Sequence, residues 1–290
     1  MSSRPPAIVA DSTISLPPSM VHGLPLLVAP FEVHHDGQVY ADGEGLSRDE
    51  FYRLMRTSSA LPTTSAPTPA AFLKAFQAAA QYSDEIICLT LSSELSAAFR
   101  AALLAKEEAS QLFPGVTIHL VDTRTAGPAE GLVALEASRR AAGGASTAEV
   151  LATVEGLLQS VYLLAYLETL HYVWRSGRVP RVAMWLGRLL NVKPVLELTG
   201  GRISMLERPR TQRRAMDRIV ALVRQRVRDK PCRITVMHAD APSEAADLAD
   251  RVRREIAPVE LFITEFTPVI GAHTGPGLVG CAFHVLAPDA

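Results

Sequence analysis

Apolar and polar positions divide the first half of the chain into strand-like and helix-like pieces in alternation. Ala7–Ala10 is a short apolar strand that stops at Asp11-Ser12-Thr13. Leu26–Val33 is a second apolar run, and Asp36-Gly37 beyond it signals a hairpin turn, since both residue types tolerate the positive φ such turns need. Ser47–Thr57 has helical spacing, with Ser47 at the N-cap and Glu50 three residues on, the pattern of a capping box. The loop Thr63–Pro69 leads into a helix over Ala70–Gln81, with Thr68 at the N-cap and Pro69 at its first position. Glu85–Leu91 and Val116–Val121 read as strands. Leu95–Gln111 and Gly131–Ala142 read as helices, the second closing on Gly143-Gly144. Strands separated by helices of this length imply parallel β-α-β units with right-handed crossovers.

The pattern changes near Ser146. A helix over Ala148–Gln159 is followed by a mostly apolar stretch, Val161–Leu167, and then by helical spacing over Glu168–Arg175 and Arg181–Leu190. Val195–Leu198 and Arg202–Leu206 flank Thr199-Gly200-Gly201 and predict a hairpin. Helices near Gln212–Val227 and Ser243–Ile256 alternate with strands at Arg233–His238, Val259–Phe266 and Gly280–Leu286. The expected fold is α/β: an N-terminal parallel-sheet α/β/α domain over residues 1–147 and a C-terminal α+β domain over residues 148–290.

Composition fits two domains, because a single core usually stops growing near ~250 residues and this chain has 290. A net charge of -1 offers no global field for nucleic acid or an anionic membrane. The stretch Arg208–Lys230 carries nine basic residues against two acids, yet Met216, Ile219, Val220, Val223 and Val227 recur within it at helical spacing. It reads as an amphipathic helix with a solvated basic face rather than a nucleic-acid surface. Cys88, Cys232 and Cys281 are odd in number and far apart, which suits buried thiols of a reducing compartment better than disulfides. No stretch reaches the ~18 apolar residues of a membrane span and the N-terminus lacks a signal-peptide core, so a cytoplasmic protein is expected.

Candidate chemistry concentrates in hydroxyl-rich turns at strand ends: Asp11-Ser12-Thr13, Thr63-Thr64-Ser65, Ser92-Ser93 with Ser96, and Asp122-Thr123-Arg124-Thr125. Ligands of open parallel sheets bind at the carboxyl ends of strands, where such loops converge. Ser93 and Ser96 also lie at the expected start of a long helix, whose unpaired N–H groups and dipole favour a small anion such as a carboxylate. The turn Gly271–Gly277 presents His273 and Thr274 as further donors. Gly275–Gly280 spells a dinucleotide fingerprint but opens no helix and leaves no room for a β-α-β unit. His34 and His35 are adjacent in an extended segment and point to opposite faces, which argues against a shared metal. No cofactor or metal is expected. An alternative is a serine hydrolase or acyltransferase using Ser93 or Ser96 with His273 and Asp11, although no nucleophile-elbow motif accompanies it.

Seven segments, in order, resemble the DegV family over essentially the whole chain. They are Ile8–Thr13 with Leu16-Pro17, Thr64–Thr68 (like Thr-Ser-Gln-Pro-Ser), Leu91–Ser96 (like Ile-Ser-Ser-Gly-Leu-Ser), Val121–Ala126, Leu167–Leu170 with Arg175–Arg178, Leu190–Pro194, and Gly271–Gly277. The resemblance implies a bacterial carrier without catalytic chemistry that holds one long-chain fatty acid, palmitate or similar, between two domains. It implies that Thr64, Ser93 and His273 surround the carboxylate, with Ser65, Ser96 and Thr274 close by and Arg178 near the head group. Members similar to the fatty acid kinase B subunit present the bound acid to a separate kinase for acyl-phosphate formation and phospholipid synthesis, a role that allows transient membrane contact. The sequence departs from the family pattern at Ala66 (usually Gln), Glu94 (Gly), Ala97-Ala98 (Gly-Thr) and Ser176 (Gly).

Overall fold

The computed structural model describes residues 4–58, 60–179 and 192–286. Its first layer is a four-stranded parallel sheet in the order β2-β1-β6-β7, formed by β1 (Ala7–Asp11), β2 (Leu26–Ala29), β6 (Glu85–Thr90) and β7 (Thr117–Asp122). β1 is buried at every position, as expected of a parallel strand covered on both faces. The apolar run 26–33 is not one strand. Pro30 interrupts it, and its second half becomes β3 (Glu32–His35) in a separate antiparallel sheet, order β4-β3-β5, with β4 (Gln38–Ala41) and β5 (Thr63–Ser65). Asp36 and Gly37 make the β3–β4 turn with φ of 48° and 75°, as the Asp-Gly signal requires. β5 lies in a segment expected to be loop. Three residues fall below what alternation can reveal, and only pairing with β3 makes them a strand.

Helices α1 (Pro18–Val21), α2 (Arg48–Thr57), α3 (Pro69–Ala79), α4 (Ala98–Leu112), α5 (Pro128–Ala142) and α6 (Thr147–Leu158) complete the first half. Ser47 and Glu50 close the capping box on α2, and Ser146 and Glu149 close one on α6. α4 starts three residues later than its spacing suggests. Leu95 and Ser96 instead form a turn whose amides bond to the Ser92 carbonyl, so Ser93 is not on the helix end.

The second half is a six-stranded mixed sheet, order β10-β9-β8-β13-β11-β12, built from β8 (Tyr162–Tyr166), β9 (Val195–Thr199), β10 (Arg202–Glu207), β11 (Cys232–His238), β12 (Glu260–Glu265) and β13 (Val279–Val285). The predicted β9–β10 hairpin forms through Gly200 and Gly201, both at positive φ. Its helices are α7 (His171–Ser176), α8 (Gln212–Val227), α9 (Pro242–Glu255) and α10 (Pro268–Thr274). The helix expected over Arg181–Leu190 lies outside the described residues. On one face of the sheet, α8 and α9 close a core with β8, β11 and β13; the Met216, Ile219, Val220, Val223 and Val227 stripe of α8 is buried there.

α5 packs on the other face. It is buried on nearly every side, because it lies against the parallel sheet and the mixed sheet at once. One continuous apolar cluster therefore runs from β1 and β6 through α5 to Ala165, Leu196, Leu198 and Ala282 of the second sheet. Gly131 permits this approach, since a Cβ there would stand 2.3 Å from the Ile14 carbonyl oxygen. The three cysteines are buried and unbridged. Among the described residues, no helix is long and apolar enough to cross a membrane.

Candidate functional site

An apolar cavity of about 150 Å³ opens where the three sheets meet. Phe31, Leu91 and Leu95 line it from the first half, and Leu163, Leu196 and Leu278 from the second. The polar residues that line it are few: Thr13, Thr64, Ser96, Ser176, Arg178, Glu197, whose carboxylate pairs with Arg226, His273 and Thr274. Such a chamber, mostly hydrocarbon with a few placed donors, suits a ligand with a long apolar body and one polar end.

Two of these polar groups are paired with each other. Thr64 Oγ1 and His273 Nε2 lie 2.7 Å apart, joining β5 to α10. The positions follow from local chemistry on both sides. β5 is held by its register with β3, where Val33 faces Thr64. His273 does not project from a tight turn, as its glycines suggest, but from the last turn of α10. Pro268 starts that helix at its first position, and the Val269 amide donates to Asp42. Gly275 then ends it, in a conformation with no room for a side chain against the Tyr172 ring. Burial pushes the His273 imidazolium pKa down to about 4, with the nearby Arg178 charge adding to the effect. At neutral pH the ring is uncharged and donates or accepts one hydrogen bond at Nε2.

The other predicted residues are distributed differently. Thr274 lines the cavity but donates its hydroxyl to the Ile270 carbonyl. Ser96 lines it too, while its Oγ accepts from the Ala98 amide at the start of α4. Arg178 lines the cavity from an exposed position and donates to the Ser176 carbonyl. Ser65 turns away and bonds to His34 Nε2 at 2.7 Å. Ser93 is exposed, and its hydroxyl donates to Asp122 Oδ2 at 2.5 Å. Neither Ser65 nor Ser93 lines the cavity. At the departures from the family pattern, Ala66 lines the cavity and Glu94 is exposed beside Gly201.

The hydrolase constellation is not assembled. His273 is paired with Thr64 rather than with a serine, Ser93 is paired with Asp122, and Asp11 serves the backbone. Asp11 accepts from the Thr13 amide and hydroxyl and from the Leu91 amide, tying the loop after β6 to the end of β1. Thr13 Oγ1 also lies 2.8 Å from Glu130 Oε2. Burial raises the Asp11 carboxyl to about 6 and pushes Glu130 well above its ordinary value, each with some help from the other's charge or its neighbours'. This buried acid pair is bridged by Thr13, which alone of the three lines the chamber. Thr13 belongs to a turn the sequence singled out. The Ala126-Gly127 backbone and Ser176, which also line the chamber, carry no signal that chemistry alone would find. Among the described residues, no group of His, Cys, Asp and Glu side chains is arranged to hold a metal.

Known proteins share this architecture. The structure of a DegV family protein from Thermus thermophilus, described for its fatty acid binding, superposes with a TM-score of 0.89 at 32% identity, covering 97% of this chain and 99% of that one. DegV of Bacillus subtilis, described as a fatty acid binding protein, superposes with a TM-score of 0.86 at 27% identity, covering 98% and 100%. A DegV domain-containing protein of Streptomyces coelicolor is 35% identical over 280 residues, 96% of this chain and 98% of that protein. The family model described as "Uncharacterised protein, DegV family" matches residues 6–285. The chain belongs to the DegV family.

Proposed function

We propose that this protein binds one long-chain fatty acid, with the acyl chain in the apolar cavity and the carboxyl group at Thr64 and His273. The observation that carries this reading is a chamber of hydrocarbon with one half-buried hydroxyl–imidazole pair and no assembled nucleophile. Fatty acid binding by the Thermus thermophilus and Bacillus subtilis relatives supports it. Burying each CH₂ contributes ~0.8 kcal/mol, so a chain of ~16 carbons supplies a large gross driving force. The carboxyl group leaves water only if it is hydrogen-bonded, which Thr64 and His273 provide, with Ser96 and Thr274 within the same chamber and Arg178 at its exposed side. Ser93 and Ser65 join the head group only by leaving Asp122 and His34.

A cavity of about 150 Å³ is narrow. An engineered apolar cavity of ~150 Å³ admits benzene, so an acyl chain many carbons long requires the walls to part. Binding is therefore coupled to movement of the cavity lining. The protein acts as a cytoplasmic carrier, and a separate fatty acid kinase that phosphorylates the presented carboxyl group is its partner, the bound acid going on to phospholipid synthesis. With the chain divided into residues 1–147 and 148–290, the ligand would lie between the two units, α5 of the first packing against the mixed sheet of the second.

Native mass spectrometry of the freshly purified protein, with extraction and identification of what it releases, tests the binding reading. One equivalent of a fatty acid is the expected result. Empty protein that also fails to take up added palmitate or oleate overturns it. Phosphorylation of the released acid by a fatty acid kinase only when this protein is present tests the presentation step separately.

A further inference from the structure

A second recess, of about 1240 Å³, opens between α5 and α6 on one side and α8, β10, β11 and β13 on the other, and shares no lining residue with the apolar cavity. Six cationic side chains line it against two carboxylates, Glu136 and Glu207, in a chain whose net charge is -1. Some of this charge is neutralised in place. Arg139 clasps Glu260 through two bonds of 2.7 Å, Arg233 pairs with Glu136 and Glu260, and Arg226 pairs with Glu197. Arg140, Arg228 and Lys230 are exposed and make no ion pair with any described residue. The C-terminal turns of α5 and α8 favour nearby cations through their carbonyl dipoles. That does not account for Lys230, which lies beyond the helix. The connection from α8 to β11 runs through Arg228 and Asp229, two successive non-glycine residues at φ of 50° and 59°, a costly conformation.

A buried histidine points to what the charges are for. His284 of β13 lines the recess with 1% exposure, and its Nε2 has no hydrogen-bond partner. Nδ1 faces the Val285 carbonyl at 3.4 Å, and burial holds the ring below its ordinary pKa. In that state Nδ1 carries the proton, and Nε2 is an acceptor waiting for a donor. The ligand must therefore combine several negative charges with an O–H group. A carboxylate brings one charge and no donor. A phosphate monoester carries a charge of about -1.5 to -2 near neutrality and retains a protonated oxygen part of the time. An aromatic base has no platform here: Tyr162 is stacked on Phe283 at 5.2 Å, and the Arg226 guanidinium lies 5.4 Å from the tyrosine ring centre.

We propose that this recess binds a small, non-aromatic phosphate monoester, gripped by Arg140, Arg228 and Lys230, with His284 Nε2 accepting a hydroxyl or P–OH proton. Three uncompensated cations on a near-neutral chain suit a small molecule rather than a nucleic acid backbone, which needs a broad basic field. The inference is independent of lipid binding in the apolar cavity.

Isothermal titration calorimetry of the full chain with glycerol phosphate as the probe tests it. Saturable binding at one site is expected. The triple variant Arg140→Gln, Arg228→Gln, Lys230→Gln should weaken it about tenfold or more, and so should raising salt from about 50 mM to about 500 mM. These side chains are exposed and unpaired, so the variant keeps its fold, and its fatty acid content by native mass spectrometry stays unchanged. His284→Phe should weaken glycerol phosphate while leaving inorganic sulfate, which carries no O–H group at neutral pH, within about threefold. Absence of saturable heat at low salt, or binding that the triple variant leaves intact, overturns the proposal. A parallel arm with phosphatidate-containing vesicles identifies the source of the phosphate. Vesicle binding that free glycerol phosphate displaces and the triple variant loses supports the same chemistry on a lipid head group; vesicle binding insensitive to both counts against the site.

Discussion

Two hydroxyl pairs that look alike in the sequence end in opposite environments. Thr64 meets His273 inside the apolar cavity, across 209 positions of chain, whereas Ser93 meets Asp122 at the surface, between neighbouring parallel strands. Both hydroxyls sit in Ser/Thr-rich turns next to strands. Their difference teaches that hydroxyl-rich turns mark where loops converge, but not which hydroxyl faces the ligand. In water the Ser93–Asp122 bond competes with solvent and contributes little. The half-buried Thr64–His273 pair meets less competing water, so under the proposed function it contributes more to recognition of a polar head group than Ser93 does.

The comparison breaks most completely if α5 is pushed away from β1, since Ala126 and Gly127 at the N-terminal end of that helix line the cavity. Gly131→Val drives a side chain into the Ile14 carbonyl and should cost about 3 kcal/mol or more, read as a lowered denaturant midpoint with bound lipid lost. Next comes the buried acid pair behind Thr13. The folded Asp11 carboxyl, at about 6, holds a proton that the unfolded chain releases near its ordinary 3.8. The native state therefore binds more protons in that window, and stability falls as pH rises from about 4 to about 6, by on the order of 3 kcal/mol. Asp11→Asn should flatten that slope in pH-dependent denaturation. An unchanged slope would place the titration elsewhere.

The ligand-level contrast should follow. Thr64→Val or His273→Phe should weaken displacement of a fluorescent fatty acid by about 10- to 100-fold, while Ser93→Ala changes it by less than about twofold. Equal losses at Thr64 and Ser93 would mean that Ser93 leaves Asp122 when the ligand binds. Gly201→Ala acts at the surface pair. Gly201 has φ of 82°, and its missing Cβ would lie 2.8 Å from Ser92 Oγ. About 1–2 kcal/mol of stability should be lost, with faster amide exchange at Ser93 and little change in lipid affinity.

Much of the fold was legible because it is written in short-range chemistry. The capping box at Ser47–Glu50, the Asp36-Gly37 turn and the Gly200-Gly201 hairpin involve contacts only a few residues apart. The errors lie where a distant partner decides. Thr63–Ser65 becomes a strand only because β3 is available, and the run 26–33 divides between two sheets at Pro30. The segment around His273 reads as a turn from its glycines, yet Pro268 and the bond from Val269 to Asp42 make it a helix. In the site, Thr64, Ser96, Arg178, His273 and Thr274 do reach one cavity, while Ser65 and Ser93 face other partners.

By itself, the sequence determined the alternation of parallel β-α-β units with a later mixed region, the burial of Cys88 and Cys281 as free thiols and the family to which the chain belongs. Periodicity, capping and turn chemistry act within a few residues, so they survive without knowledge of the fold. Tertiary structure alone decided that α5 is buried between two sheets, that Asp11 and Glu130 are bridged in the dry interior by Thr13, and that His273 is neutral beside Thr64. Those outcomes depend on desolvation by atoms dozens or hundreds of positions away, and no local pattern of residues records how much water a side chain will lose.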